Sequence, residues 1–232
     1  MSLIKYLGNL GYGTRREVMV LLAARRVTSA NGQVTREGDP WTHDSLRVDG
    51  EPLDPPPGAL IMLHKPVGYV CSTKDVPPLV YALLPPRFVR RSPVMAPVGR
   101  LDRDTSGLLL FTDDGALNHR LTSPRSHVSK RYRATLAAPL RGDEAAQFAS
   151  GLLTLAGESA LLAPVALQEI SPTVVELALT EGRYHQVRRM FAAVGNHVNM
   201  LQRVAIGALI LGDLAPGAWR VLMDNERALL TQ

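Results

Sequence analysis

One cysteine, Cys71, stands among 232 residues. An internal disulfide is therefore excluded, and so is a metal cage built from cysteines. Such sparing use of cysteine fits a reducing cytoplasm, where this chain is expected to act. Aromatic residues make up only 5% of the chain, so a flat side chain near a candidate site stands out. No apolar run approaches the roughly 20 residues needed to cross a bilayer, and no membrane partner is expected. The first residues, MSLIKYLGNLGYG, lack the apolar core and cleavage site of a secretory signal. There is no Gly-rich phosphate loop and no dinucleotide fingerprint. His64, His119, His127 and His197 are scattered without metal-ligand spacing. Neither a metal nor a cofactor is expected.

What is present is an ordinary globular composition, with 46% hydrophobic and 20% charged residues and a net charge of +5. The length suits one or two domains with a sizeable core. The positive charge favours a polyanionic partner, and its distribution says more than its total. Residues 1–36 hold Lys5, Arg15, Arg16, Arg25, Arg26 and Arg36 against Glu17 alone. Residues 182–203 hold Arg183, Arg188, Arg189 and Arg203 and no acid.

The head reads as a small helical unit. Leu3, Ile4, Leu7 and Leu10 lie close to helical spacing. Thr14-Arg15-Arg16-Glu17 is a capping box that should start a helix running to about Ala24. Val27 begins a strand, Asn31-Gly32 signals a two-residue hairpin, and strand-like segments continue to about Val48. Asp54-Pro55-Pro56-Pro57-Gly58 is the clearest linker, since three prolines stiffen the chain and continue neither strand nor helix. The expected boundary follows: a unit over 1–57 and a second over 58–232.

Beyond the linker, Leu60–Leu63 reads as a strand ended by His64-Lys65-Pro66. Residues 74–98, rich in proline, read as an irregular connection with a short helix near Leu79–Leu84. Arg131–Ala137 and Thr173–Thr180 read as strands, the second with Val175, Leu177 and Leu179 on one face. Asp143–Gly151 reads as a short helix. Tyr184–Val194 is an amphipathic helix with Val187, Met190, Phe191 and Val194 at i, i+3, i+4 and i+7, ended by Gly195. Strands with segregated helices indicate an α+β fold.

The densest chemistry lies in GRLDRDTSGLLLFTDDG, residues 99–115. Leu108–Phe111 is a short apolar run bounded by turn signals, which suits a buried strand. Arg100, Asp102, Arg103 and Asp104 then occupy the loop that feeds it. Carboxylates beside arginines on a loop held by a rigid strand suit a reactive centre, and they also suit a surface ion-pair cluster.

This block resembles the catalytic signature of the pseudouridine synthases, in the branch that contains the small-subunit (16S) ribosomal RNA enzyme. The likeness continues through HKPVGYVCST (64–73), LTSPRSHVSKRY (121–132) and EGRYHQVRRMFAAVGNHV (181–198). The blocks occur in the family's order. The resemblance implies a mixed, mainly antiparallel sheet flanked by helices in the core. The head is similar to the S4 RNA-binding domain, although Ser2-Leu3-Ile4-Lys5 replaces the expected Arg-Leu-Asp-Lys start.

Isomerising uridine breaks the C1′–N1 bond and makes a C1′–C5 bond. The reaction needs no redox change and no group donor. A nucleophile, or a base that strips a sugar proton, suffices, and an ionised carboxylate serves either way. The resemblance implies that Asp102 is that carboxylate, with Asp104 left to a turn or ion-pair role. It implies that Arg188 pairs with Asp102, and that Tyr132 stacks against the flipped base. Arg100 is expected to fill the gap the base leaves, since chemistry on a base requires taking it out of the stack. Arg103, Arg183, Tyr184, His185 and Gln186 are expected to contact substrate or organise the helix start. Arg15, Arg16, Arg25 and Arg26 are expected to hold RNA phosphates. The expected partner is ribosomal RNA or a ribosomal assembly intermediate, bound by a monomer. Large-subunit (23S) RNA, a noncatalytic assembly factor, and a glycosidase using Asp102 and Asp104 are the competing readings.

Overall fold

Leu108, Leu109, Leu110 and Phe111 have no exposed surface, and the rest of the core is arranged around them. The computed structural model describes residues 1–72, 75–123 and 126–231. Thr73, Lys74, Pro124, Arg125 and Gln232 lie outside the described residues, so parts of the 64–73 and 121–132 blocks and of the 74–98 connection do too.

The head begins with α1 (Leu3–Asn9) and α2 (Arg15–Ala23). The Thr14 hydroxyl accepts from Glu17 N while Glu17 accepts from Thr14 N, so the capping box forms as read. A three-stranded sheet follows, β1 (Val27–Ser29), β2 (Leu46–Val48) and β3 (Glu51–Pro52). The chain does turn back at Asn31-Gly32: Ser29 N donates to Gln33 O, Thr35 N donates to Val27 O, and Thr28 and Val34 form an isolated antiparallel bridge. The strand-length partner of β1 is β2, which offers Leu46 and Val48 to the core, whereas the polar stretch after Gly32 has little to bury.

A nine-stranded mixed sheet forms the rest. In chain order its members are β4 (Leu60–Lys65), β5 (Ala96–Val98), β6 (Thr105–Thr112), β7 (Lys130–Leu136), β8 (Ala166–Ser171), β9 (Val174–Leu179), β10 (Val198–Ile206), β11 (Leu209–Ile210) and β12 (Trp219–Val221). Their spatial order is β12-β4-β6-β10-β7-β9-β8, with β5 on β6 and β11 on β10. Among the strands of this sheet in the described residues, only the β6–β10 pairing is parallel. Helices α3 (Pro86–Val89), α4 (Gly115–Thr122), α5 (Glu144–Ala149), α6 (Gln186–Ala193) and α7 (Asp224–Ala228) complete the fold. No helix among the described residues is long and apolar enough to cross a membrane.

Two strands share one edge of β6. Strand β10 takes its first half at Thr105–Gly107, and β5 takes its second half at Leu110–Thr112. The loop 99–104 leaves the sheet between them. One apolar cluster lies under α6 and β9, another under β4 and β6, and Tyr132 touches both.

The proline segment is not a free tether. Arg91 and Asp113 form a buried ion pair at 2.7 Å. The same guanidinium donates to the carbonyls of Pro55 and Pro56, and Gly58 N donates to Asp113. Asp54 binds Arg87 at 2.6 Å, and Ser92 N donates to Asn9 O.

Candidate active site

The loop 99–104 is held from below by a lysine. Lys65, the last residue of β4, is fully buried. Its ammonium donates to the carbonyls of Thr105 (2.8 Å), Asp102 (3.0 Å), Pro66 (3.1 Å) and Arg103 (3.5 Å). Burial pushes its pKa down, and the charges of Asp102 and Asp104 partly oppose that. Lys65 thus fixes the backbone of the loop. Sequence reasoning passed over it; a charge ending an otherwise apolar buried strand was the available signal. Gly68 and Arg103 add a reciprocal pair, Gly68 N to Arg103 O and Arg103 Nε to Gly68 O. Arg103 is thereby turned toward Gly68 and does not line the cleft described next.

Above the loop opens a cleft of about 630 Å³ whose walls include Arg100, Asp102, Tyr132, Tyr184, His185 and Arg203. The Asp102 side chain is 34% exposed, and the imidazole of His185 lies beside it, with Nε2 3.6 Å from Oδ1. The expected pairing of Arg188 with Asp102 is corrected. Arg188 Nη2 lies 2.9 Å from Asp104 Oδ2 and 3.2 Å from Asp104 O, and Nη1 donates to Val198 O at 2.6 Å. The physical reason is tertiary placement: Val198 O, at the start of β10, holds one end of the guanidinium, and from there the other end meets Asp104 and not Asp102. The helix itself begins at Gln186 and not at Tyr184, because His185 is left-handed (φ 48°). The result is one clamped carboxylate, Asp104, and one left facing the cleft, Asp102.

Tyr132 is half-buried on β7, in register with Arg203 of β10 and Leu177 of β9. Arg100 is exposed at the cleft. Tyr184 is 71% exposed and stacks on His185, with centroids 4.0 Å apart and planes at 14°. Gln186 is buried and organises the turn: its Oε1 accepts from Arg183 N and its Nε2 donates to Glu181. Arg183 contributes to the cleft wall, yet its guanidinium is engaged by Glu158 (2.9 Å), Glu181 (3.3 Å) and the carbonyls of Ala160 and Leu161. Arg189 also binds Glu158. Together these two arginines hold the Glu158 carboxyl below the usual carboxylate range. Arg15, Arg16, Arg25 and Arg26 belong to the head and do not line the cleft. Among the described residues no cluster of His, Cys, Asp or Glu is placed to hold a metal ion.

Such a site offers a carboxylate open to the cleft, an aromatic face and a cationic rim, while the second carboxylate of the loop, Asp104, is clamped. The family model described as RNA pseudouridylate synthase matches residues 59–193, a span that includes Asp102, Tyr132 and Arg188. The chain belongs to the RNA pseudouridylate synthases. Over 190 residues it is 50% identical to the ribosomal small subunit pseudouridine synthase A of Escherichia coli (strain K12), covering 80% of each chain. It is 45% identical to the Yersinia pestis protein of the same name over 234 residues, covering 98% of this chain and 97% of the other. A crystal structure of a pseudouridylate synthase superposes with a TM-score of 0.70 at 35% identity, covering 99% of both chains.

Proposed function

We propose that this synthase isomerises one uridine of small-subunit (16S) ribosomal RNA, acting as a cytoplasmic monomer on free RNA or an assembly intermediate. The observation that carries the reading is the pair of carboxylates on one loop, one clamped by Arg188 and one open to the cleft, in a chain half identical over most of its length to a relative named for small-subunit RNA.

Asp102 is the reacting carboxylate. By attack at C1′, or by taking a sugar proton, it expels uracil with the C1′–N1 electron pair. The freed ring turns and C5 bonds to C1′; in the first route this displaces the carboxylate, in the second Asp102 returns the proton to the sugar. C5 then loses its proton and N1 gains one. Substrate and product are isomers, so no co-reactant enters. Tyr132 supplies the face on which the flipped base lies, a contact worth about 1–3 kcal/mol. Arg188 positions the loop through Asp104, and Arg100 stacks into the vacated gap. The exposed Tyr184 and its partner His185 border the substrate. Residues 1–57 form an S4-like RNA-holding unit whose exposed arginines Arg15, Arg16 and Arg25 meet phosphates.

The test is to incubate 16S and 23S RNA with wild type, Asp102→Asn and Asp104→Asn and map pseudouridine by mass spectrometry. One new pseudouridine in 16S RNA, lost in Asp102→Asn with RNA binding kept, is expected. Modification of 23S RNA alone, or multiple turnover by Asp102→Asn with Asp104→Asn dead, overturns the reading.

A further inference from the structure

Arg203 is a buried cation without a carboxylate. It is 3% exposed, on β10, at the floor of the cleft. Its Nε donates to Leu108 O at 2.8 Å and its Nη1 to Arg100 O at 3.5 Å, while Nη2 is buried without a partner. Among the described residues it takes part in no ion pair. Lys65 and Lys130 add like charge: the Arg203 guanidinium pushes down the pKa of both, after the larger effect of their own burial. Thr105 Oγ1, on the same cleft, is likewise buried and unpartnered.

The arrangement is built, and the backbone shows how. A bulge between Arg203 and Ala205 breaks the β10–β7 register beside Arg203; bulges re-aim side chains at active sites. Strand β6 accommodates it with Gly107, whose φ is +110° and where a Cβ would lie 2.3 Å from Arg203 O. Only glycine permits that approach. A buried charge left without a counter-ion is costly, and this fold sets Lys130 on the same cleft and Lys65 beneath its loop.

The reaction proposed above creates the missing counter-charge. Whichever way Asp102 acts, the C1′–N1 electron pair leaves with the base, and the freed ring is an anion delocalised over N1, O2 and O4. We infer that Arg203 stabilises this departing uracil anion through its fixed, buried charge at the cleft floor, opposite Tyr132 in the sheet register. The inference rests on the proposed reaction. It assigns Arg203 an electrostatic part in bond cleavage, distinct from orienting Asp102 or holding RNA. Preoriented charge of this kind acts where charge develops in the transition state.

Leaving-group chemistry tests it. Single-turnover rates of base rearrangement are measured with saturating 16S RNA fragments transcribed with uridine or with 5-fluorouridine. Fluorine withdraws electrons and stabilises the departing anion itself. Arg203→Met is expected to slow the uridine reaction by about 100-fold with RNA affinity unchanged, and the loss should be about tenfold smaller with 5-fluorouridine. Arg203→Lys keeps the charge with a shorter reach and should show the same narrowing on a smaller scale. It decides the question by itself where Arg203→Met does not fold. Equal losses on the two substrates, or no loss, overturn the role of Arg203. A wild type that rearranges neither substrate overturns the proposed reaction instead.

Discussion

Two arginine-rich segments look alike in this sequence, and the fold uses them in opposite ways. In the head, Arg15, Arg16 and Arg25 are exposed, and Arg26 is matched by two bonds to Asp49. In residues 182–203 every arginine is engaged. Arg183 and Arg189 converge on Glu158, Arg188 holds Asp104 and Val198, and Arg203 is bound to carbonyls under the cleft. The acid that Arg183 and Arg189 share, Glu158, lies 25 and 31 residues upstream of them. Local net charge therefore says how many cations a segment has, not how many are free for a phosphate. The later segment builds the site, and the exposed arginines of the head are the ones we propose hold RNA.

If that division is right, the largest effect on turnover comes from the buried segment. Arg188→Ala removes the clamp between β10 and Asp104. Turnover should fall about 100-fold, as a small misplacement of a reacting group can cause. Stability should fall by about 1.5–3 kcal/mol, the worth of charge-assisted hydrogen bonds. A variant that unfolds at room temperature with normal activity per folded molecule would make Arg188 purely structural.

Removing the head should act on affinity and salt dependence. We propose that the core folds alone, and the contacts of Arg91 sharpen where it must start. A chain over 54–232 keeps the Pro55 and Pro56 carbonyls that bind Arg91; a chain over 58–232 strands part of a buried guanidinium and should be less stable by about 1–3 kcal/mol. Urea titration of the two chains compares them. In either, the slope of log K against log salt should become shallower by about 0.7 to 0.9 for each lost phosphate contact. Total charge predicts no such change, since seven acids balance seven bases in residues 1–57. An unchanged slope and affinity would remove the head from RNA binding.

The smallest effect is expected at Glu158. Glu158→Gln weakens the hold on Arg183 and Arg189 and should lower the thermal midpoint slightly at neutral pH. Arg183 and Arg189 keep this carboxyl below its ordinary value, so its stabilising contribution is complete above the usual glutamate range. It fades as pH falls through the lowered folded value. The midpoints of wild type and variant should therefore converge in acid. RNA affinity should rise and its salt dependence steepen as the two arginines become available. A difference in midpoint that persists unchanged at acid pH would mean the pair does not act through charge.

Local chemistry explains what was legible. The Thr14–Glu17 box formed because both partners lie within one helical turn. Leu108–Phe111 was readable because a strand covered on both faces is apolar without interruption, and the Val187, Met190, Phe191, Val194 seam because burial follows the helical period. Strand β10 was not readable. Its two bulges interrupt alternation, so Val198 and Leu201 fall inside with Asn199 and Met200 both exposed between them, and Arg203 is buried among strand residues. The Arg188 expectation failed because its partners, Asp104 and Val198 O, are set by how α6, β10 and the 99–104 loop approach one another, not by spacing within one segment.

By itself the sequence determined the family, the motif loop, the buried strand behind it and the helix that closes the cleft, because each rests on residues close in the chain. Only the tertiary structure decided which carboxylate is clamped and which faces the cleft. The same holds for Lys65 under the loop and for the unmatched charge of Arg203. Those outcomes depend on distances between strands and on burial, which convert identical side chains into different electrostatic environments.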